Sequence, residues 1–117
     1  MTLELELIAA LQSQCPRVLP VVAPYSTPTP YVTWQHVGGR PLRYLDNSAA
    51  DKRNAYIQVN VWADTSLQAI TLARAIEDAL CAWPGLIAVP QGETVDAYDE
   101  GDERKGTVQT FSVWGAR

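Results

Sequence analysis

Between Ala55 and Trp83 the hydrophobic period of the chain switches, and that switch limits the fold more than any other feature. From Ala55 to Ala63, Ile57, Val59 and Val61 alternate with Tyr56, Gln58, Asn60 and Trp62, the two-residue repeat of a strand buried on one face. After Asp64-Thr65-Ser66 the spacing becomes three and four. Ala69, Leu72, Ala73, Ile76, Ala79, Leu80 and Trp83 form one stripe, and Gln68, Thr71, Arg74, Glu77 and Asp78 take the wet side. Thr65 with Gln68 fits a capping box, which predicts a helix over about 65–83, closed by Pro84-Gly85.

The flanking segments extend this pattern. Leu3, Leu7, Ala10 and Leu11, with Leu5 and Ile8 widening the stripe, predict an amphipathic helix over about 2–14. Thr2 can cap it, and Glu4 and Glu6 lie where the positive end of the helix dipole favours them. Five prolines then punctuate residues 16–30, which forbids a continuous helix, disfavours a central strand and predicts an extended surface connection. Tyr31–Val37, Gly38-Gly39-Arg40-Pro41 and Leu42–Leu45 read as a hairpin over about 31–45, with the glycines supplying positive φ angles. Asp46–Arg53 reads as a polar loop. Leu86–Val89 is a short apolar run fit for a strand. Thr94–Tyr98 and Thr107–Trp114 are the arms of a C-terminal hairpin over about 94–114, whose charged tip runs from Asp99 to Gly106.

Helix, strands, helix, more strands: this order predicts an α+β fold, an antiparallel-rich sheet with two helices packed against it, rather than a parallel doubly wound sheet. A length of 117 residues, 47% of them hydrophobic, suits a single compact domain that needs no metal or disulfide to hold its core.

Little in the sequence points to chemistry. No phosphate cradle, dinucleotide fingerprint, hydrolase elbow or zinc-protease motif occurs, and the one histidine, His36, has no nucleophile spaced beside it, so a structural histidine and no enzyme are expected. Cys15 and Cys81 form no CxxC and no Cys/His cluster, so they are expected as free, small hydrophobes, with no metal and no cofactor. The acidic stretch from Asp96 to Glu103 fails the calcium-loop spacing, because Tyr98 and Thr107 stand where ligands should be. A net charge of −4 argues against phosphate binding. No apolar run approaches a membrane span, and Met1-Thr2-Leu3-Glu4 lacks the basic head of a signal peptide, so a product made in the cytoplasm with no membrane partner is expected.

Aromatic residues raise another possibility, because they concentrate at interfaces as well as in cores. The period assigns Trp34 and Trp83 to the core. Tyr56, Trp62 and Trp114 fall on the polar sheet face. These three, with the hairpin residues Tyr98, Asp99, Glu100, Asp102, Glu103, Arg104 and Lys105, are the candidate contact surface with other subunits or partners.

Several segments together carry a family resemblance: Pro28-Thr29-Pro30-Tyr31-Val32-Thr33-Trp34, the run from Tyr56 to Thr65, the helix from Ala69 to Leu80, Tyr98-Asp99, and Gln109–Trp114. In combination the chain resembles the small tail completion or tail terminator proteins of long-tailed, siphovirus-like bacteriophages and prophages, over nearly its whole length. The resemblance implies a non-enzymatic virion part made in the host cytoplasm and placed at the head–tail junction. It implies a homo-oligomeric ring, a hexamer, that caps the tail tube, joins it to the head connector and lets DNA pass without specific binding. The family is not defined by catalytic residues, so the resemblance supplies no active site. The alternative from another class is a small cytoplasmic module that recognises a peptide along a sheet edge.

Overall fold

Each helix begins where a threonine can cap it. In the computed structural model, which describes residues 2–21, 23–24, 27–99 and 104–117, helix α1 spans Leu3–Gln12 and helix α2 spans Ser66–Ala82. The Thr2 and Thr65 hydroxyls accept from the backbone N–H groups of Leu5 (3.4 Å) and Gln68 (3.2 Å), satisfying donors that the first helical turn leaves free. The strands are β1 (Val18–Pro20), β2 (Tyr31–Gly38), β3 (Lys52–Ala63), β4 (Ile87–Pro90), β5 (Val95–Asp99) and β6 (Arg104–Ala116).

They make one mixed, antiparallel-rich sheet in the order β1-β2-β3-β6-β4, with β5 also paired to β6. Only β1 and β2 run parallel. The long strands β3 and β6 pair from Lys52 opposite Ala116 to Ala63 opposite Lys105. On its other edge β6 carries two short strands end to end, β4 along Phe111–Trp114 and β5 along Arg104–Val108. The fold is therefore α+β, in a single compact domain.

Both helices lie on one face of this sheet, because that face carries the continuous aliphatic rows of the central strands. Ile57, Val59 and Val61 of β3 and Phe111 and Val113 of β6 meet Leu3, Leu7, Ala10 and Leu11 of α1 and Ala73, Ile76 and Leu80 of α2. The small residues Ala69 and Ala73 let α2 settle close to the strands, leaving room for Phe111, which is fully buried and contributes roughly 2–3 kcal/mol of transfer free energy. Leu5 departs from its expected place in the stripe: it is exposed, since the helix turns it away from Leu3 and Leu7. The polar groups caught in this layer are matched. Gln109 donates to the Glu77 carboxylate (2.7 Å) and the Gly92 carbonyl (2.9 Å), and the Trp83 indole N–H donates to Glu6 (2.7 Å). No buried side-chain nitrogen or oxygen among the described residues lacks a partner.

Two segments differ from their sequence expectation. The 31–45 hairpin does not form: β2 pairs with β3, not with Leu42–Leu45, which contributes only an isolated bridge between Arg43 and Ala49. Gly38 and Gly39 do adopt φ of 146° and 147°, but they carry the chain away from β2 instead of reversing it. A Cβ on Gly39 would stand 2.6 Å from the Asn54 carbonyl oxygen, so the turn lies flat on the start of β3. The twelve-residue β3 offers β2 a full ladder, with Val32 and Trp34 beside Val61 and Val59, which a four-residue arm after Pro41 cannot match. Lys52 and Arg53, expected in a loop, are accordingly strand residues. Within the proline-rich connection, Val18–Pro20 makes a short edge strand, the one sheet position that tolerates proline. The Arg17 guanidinium secures the rest, donating to the carbonyls of Pro28 (2.9 Å), Thr29 (3.1 Å) and Pro30 (3.1 Å).

Candidate functional site

Among the described residues no other element of secondary structure covers the sheet face away from the helices, and the β3–β6 register decides what it presents. Residues opposite one another point the same way, so Asn54, Tyr56, Gln58, Asn60 and Trp62 share this face with Trp114, Ser112, Thr110, Val108 and Gly106. The candidate residues Tyr56, Trp62 and Trp114 therefore all lie on it, each half-buried.

The fold does not bring them together. Trp62 stands opposite Gly106 and Trp114 opposite Asn54, eight residues further along β6, about 27 Å at a rise of ~3.4 Å per residue. Between them run the polar side chains of Gln58, Asn60, Thr110 and Ser112, with Gln58 donating to Asn60 (3.2 Å).

The two ends differ in chemistry. At one end a Cβ on Gly106 would fall 2.6 Å from the Trp62 ring, so glycine is what lets the indole lie against the neighbouring strand. Tyr31 is the partner of Trp62 on β2, and the Arg104 guanidinium stands 5.2 Å from the Tyr31 ring centroid, within cation–π range. At the other end Trp114 sits beside Ile87 of β4, and Ser112 beside Val89. Ile87 and Val89 are exposed, so this end is an aliphatic and aromatic strip completed by Tyr56.

Among the hairpin candidates, Tyr98 and Lys105 face each other across β5 and β6 on the helix side of the sheet, with the Lys105 ammonium 5.0 Å from the Tyr98 ring centroid. They thus project from the opposite face to Trp62. Asp99 pairs with Arg104 at the end of the ladder, and Glu100, Asp102 and Glu103 lie outside the described residues. Sequence reasoning missed Tyr31, Ile87 and Val89 as members of this face. The alternation of Ile87 and Val89 around buried Ala88 is the signal that could have found the last two.

The one histidine and its charged neighbours lie on the helix side of the sheet, away from this surface. His36 has its Nε2 3.3 Å from a Glu4 carboxylate oxygen and its ring edge-on to Trp34. Arg53 donates to the same oxygen of Glu4. Partial burial pushes the Glu4 carboxyl up, but its own backbone N–H, the Arg53 charge and hydrogen bond, and the His36 contact together outweigh that and hold it below the usual carboxylate range. The cluster fastens α1 to β2 and β3 and includes no nucleophile. Cys15 is buried; Cys81 is exposed, its thiol pushed up by partial burial and by Glu77 and Asp78. Among the described residues no three His, Cys, Asp or Glu side chains come together as a metal would need.

Comparison with protein-family models gives a match over most of the chain. The family model described as tail completion protein gp17 matches residues 5–114, which takes in both helices from Leu5 onward, every strand core and both ends of the open face. A comparison with curated proteins finds none that matches. With the match covering nearly the whole domain, the chain belongs to the tail completion protein family of phages, a structural component of the phage tail and so of the virion.

Proposed function

We propose that this tail protein closes into a homo-oligomeric ring, a hexamer, that caps the tail tube and joins it to the head connector at the head–tail junction. The observation that carries the reading is the helix-free sheet face with unlike ends, Tyr31, Trp62 and Arg104 at one and Tyr56, Trp114, Ile87 and Val89 at the other. A cyclic ring needs two different complementary patches on every copy, whereas a two-fold dimer needs one self-complementary patch. Exposed aliphatic side chains beside half-buried tryptophans are the composition of an interface core. The role is structural and involves no catalysis and no cofactor. DNA passes through the channel without specific binding, since a subunit of net charge −4 offers phosphates no general attraction. The subunit is made in the host cytoplasm and incorporated during assembly.

Native mass spectrometry of the purified chain, alone and with tail tubes, tests this, together with electron microscopy of particles made without it. Closed rings on tube ends, and tubes of uncontrolled length or unjoined heads in its absence, are the expected results. A persistent dimer that binds peptides along the exposed edge of β4 and β5, and ignores tail tubes, would overturn the reading in favour of a peptide-binding module.

A further inference from the structure

The positive charges of this acidic chain are unevenly placed. Arg40, Arg43, Lys52 and Arg117, all exposed, line one cleft of about 290 Å³ where β3 begins, and the remaining five lysines and arginines stand against thirteen acids. Arg53 also reaches the cleft but is paired with Glu4; the other four cations form no ion pair among the described residues. The acids nearest in sequence do not line it: Asp46 accepts from the Ser48 hydroxyl and N–H, and Asp51 accepts from the Tyr44 hydroxyl.

Backbone contacts, not carboxylates, hold these cations together. The buried Asn54 accepts at its Oδ1 from the Arg40 backbone N–H (3.0 Å), while its amide donates to Ser112 (3.0 Å) and the Val113 carbonyl (3.1 Å). The Arg117 backbone N–H donates to the Asp51 carbonyl (3.1 Å) and brings that residue to the same wall. Like charges fixed side by side repel one another, and an anion entering between them relieves that repulsion.

Two kinds of polyanion suit such a cleft, and the strand pairing separates them. An acidic peptide draws much of its affinity from a free strand edge. Lys52, Arg53 and Asn54 offer none, because they pair with Ala116, Gly115 and Trp114 of β6 on one side, and on the other the Gly39 turn lies against the Asn54 carbonyl. A phosphodiester backbone needs only cations at its oxygens, and three of the four here are arginines, whose planar forks match phosphate.

We propose that this cleft grips the phosphate backbone of duplex DNA. The contact touches no base edge, so it is blind to sequence and compatible with DNA moving through a channel. A net charge of −4 withholds a general attraction, and the cleft supplies a local one. The inference rests on the ring reading above for the presence of DNA, and a ring repeats the cleft once per copy, so that weak contacts act together.

Fluorescence anisotropy of a short labelled DNA duplex with the full-length chain tests it, with native mass spectrometry recording the oligomer. If all four cations meet phosphates, log K should fall against log salt with a slope of about −3.6, and affinity should drop roughly a hundredfold between about 50 and about 200 mM salt. Arg40→Gln with Arg43→Gln should weaken binding by roughly tenfold or more and flatten the slope by about 2. The circular dichroism melt should not move, because both side chains are exposed and Asn54 holds Arg40 by its backbone N–H. Should that chain fail to fold, Lys52→Gln makes the same comparison. Arg74→Gln with Lys105→Gln removes the same charge from α2 and from the far end of β6, and should leave binding unchanged. An equal loss there would overturn the proposal by making overall charge the cause. Labelled polyglutamate held more tightly than the duplex at equal salt would overturn it by assigning the cleft to carboxylates, and inorganic phosphate bound without any duplex would overturn the DNA assignment. Rings that close but ignore the duplex overturn this inference and leave the ring reading standing; a chain that holds the duplex through the cleft yet never closes a ring does the reverse.

Discussion

Gly106 is the residue whose substitution reads the packing of the open sheet face most directly. Its backbone is in no conformation that demands glycine, since the positive-φ glycines among the described residues are Gly38 and Gly39. Considered as backbone alone, Gly106→Ala should stabilise the protein by about 0.5–1 kcal/mol, because alanine restricts the unfolded chain and suits a strand interior better. Sterics oppose this. The new Cβ would stand 2.6 Å and 2.9 Å from two carbons of the Trp62 ring and 2.7 Å from the Val61 carbonyl oxygen, all well inside van der Waals contact. The ring can swing aside but the carbonyl belongs to the β3–β6 ladder, so the overpacking cost is about 1–3 kcal/mol. The steric effect wins, and the expected net result is a loss of roughly 1 kcal/mol. Urea unfolding should show a lower midpoint with an unchanged slope. In a Trp62→Ala background two of the three close contacts are gone, so the cost of Gly106→Ala should shrink by about 1 kcal/mol, a coupling that a double-mutant cycle measures. A Gly106→Ala protein more stable than wild type, or a cycle with no coupling, would refute the packing of Trp62 against this strand.

Two further outcomes follow from the polar contacts on the helix side. Gln109→Met keeps the side-chain volume but strips the hydrogen bonds to Glu77 and Gly92, one of them to a charged group, and should cost about 1.5–3 kcal/mol by urea unfolding; a change below about 0.5 kcal/mol would mean the bond to Glu77 contributes nothing. For Glu4 the folded carboxyl titrates below its ordinary value of 4.5, so its contribution is fully present above that pH and is lost as the pH falls through the lowered folded value. Wild type should therefore exceed Glu4→Gln in stability at neutral pH, with the gap closing in acid; a gap that stays constant from neutral to acid would show that the Arg53 and His36 contacts do not act through the carboxylate charge.

The parts of the fold that were legible from sequence are those in which a short-range period and a local stop signal coincide. The alternation around Ile57, Val59 and Val61 and the stripe Ala69, Ala73, Ile76 and Leu80 are buried as their spacing requires, and Thr65 caps the helix between them. The Gly38-Gly39 segment shows where such reasoning stops. Its positive φ angles were foreseeable, but a turn residue does not say which strand the chain will pair with afterwards, and the long β3 outcompeted the nearby Leu42–Leu45. Likewise the prolines of residues 16–30 excluded a helix and a central strand but left room for the edge position that Val18–Pro20 fills.

Sequence alone determined which faces of β3, β6, α1 and α2 are apolar, because side-chain periodicity is a local property of the backbone, and with it the α+β class and the poverty of catalytic motifs. Tertiary structure alone decided that Trp62 and Trp114 sit at opposite ends of one face, that Tyr98 and Lys105 project from the other, and that Arg40, Lys52 and Arg117 share a cleft. Those relations depend on strand register and on how distant segments are brought side by side, and no window of neighbouring residues encodes them.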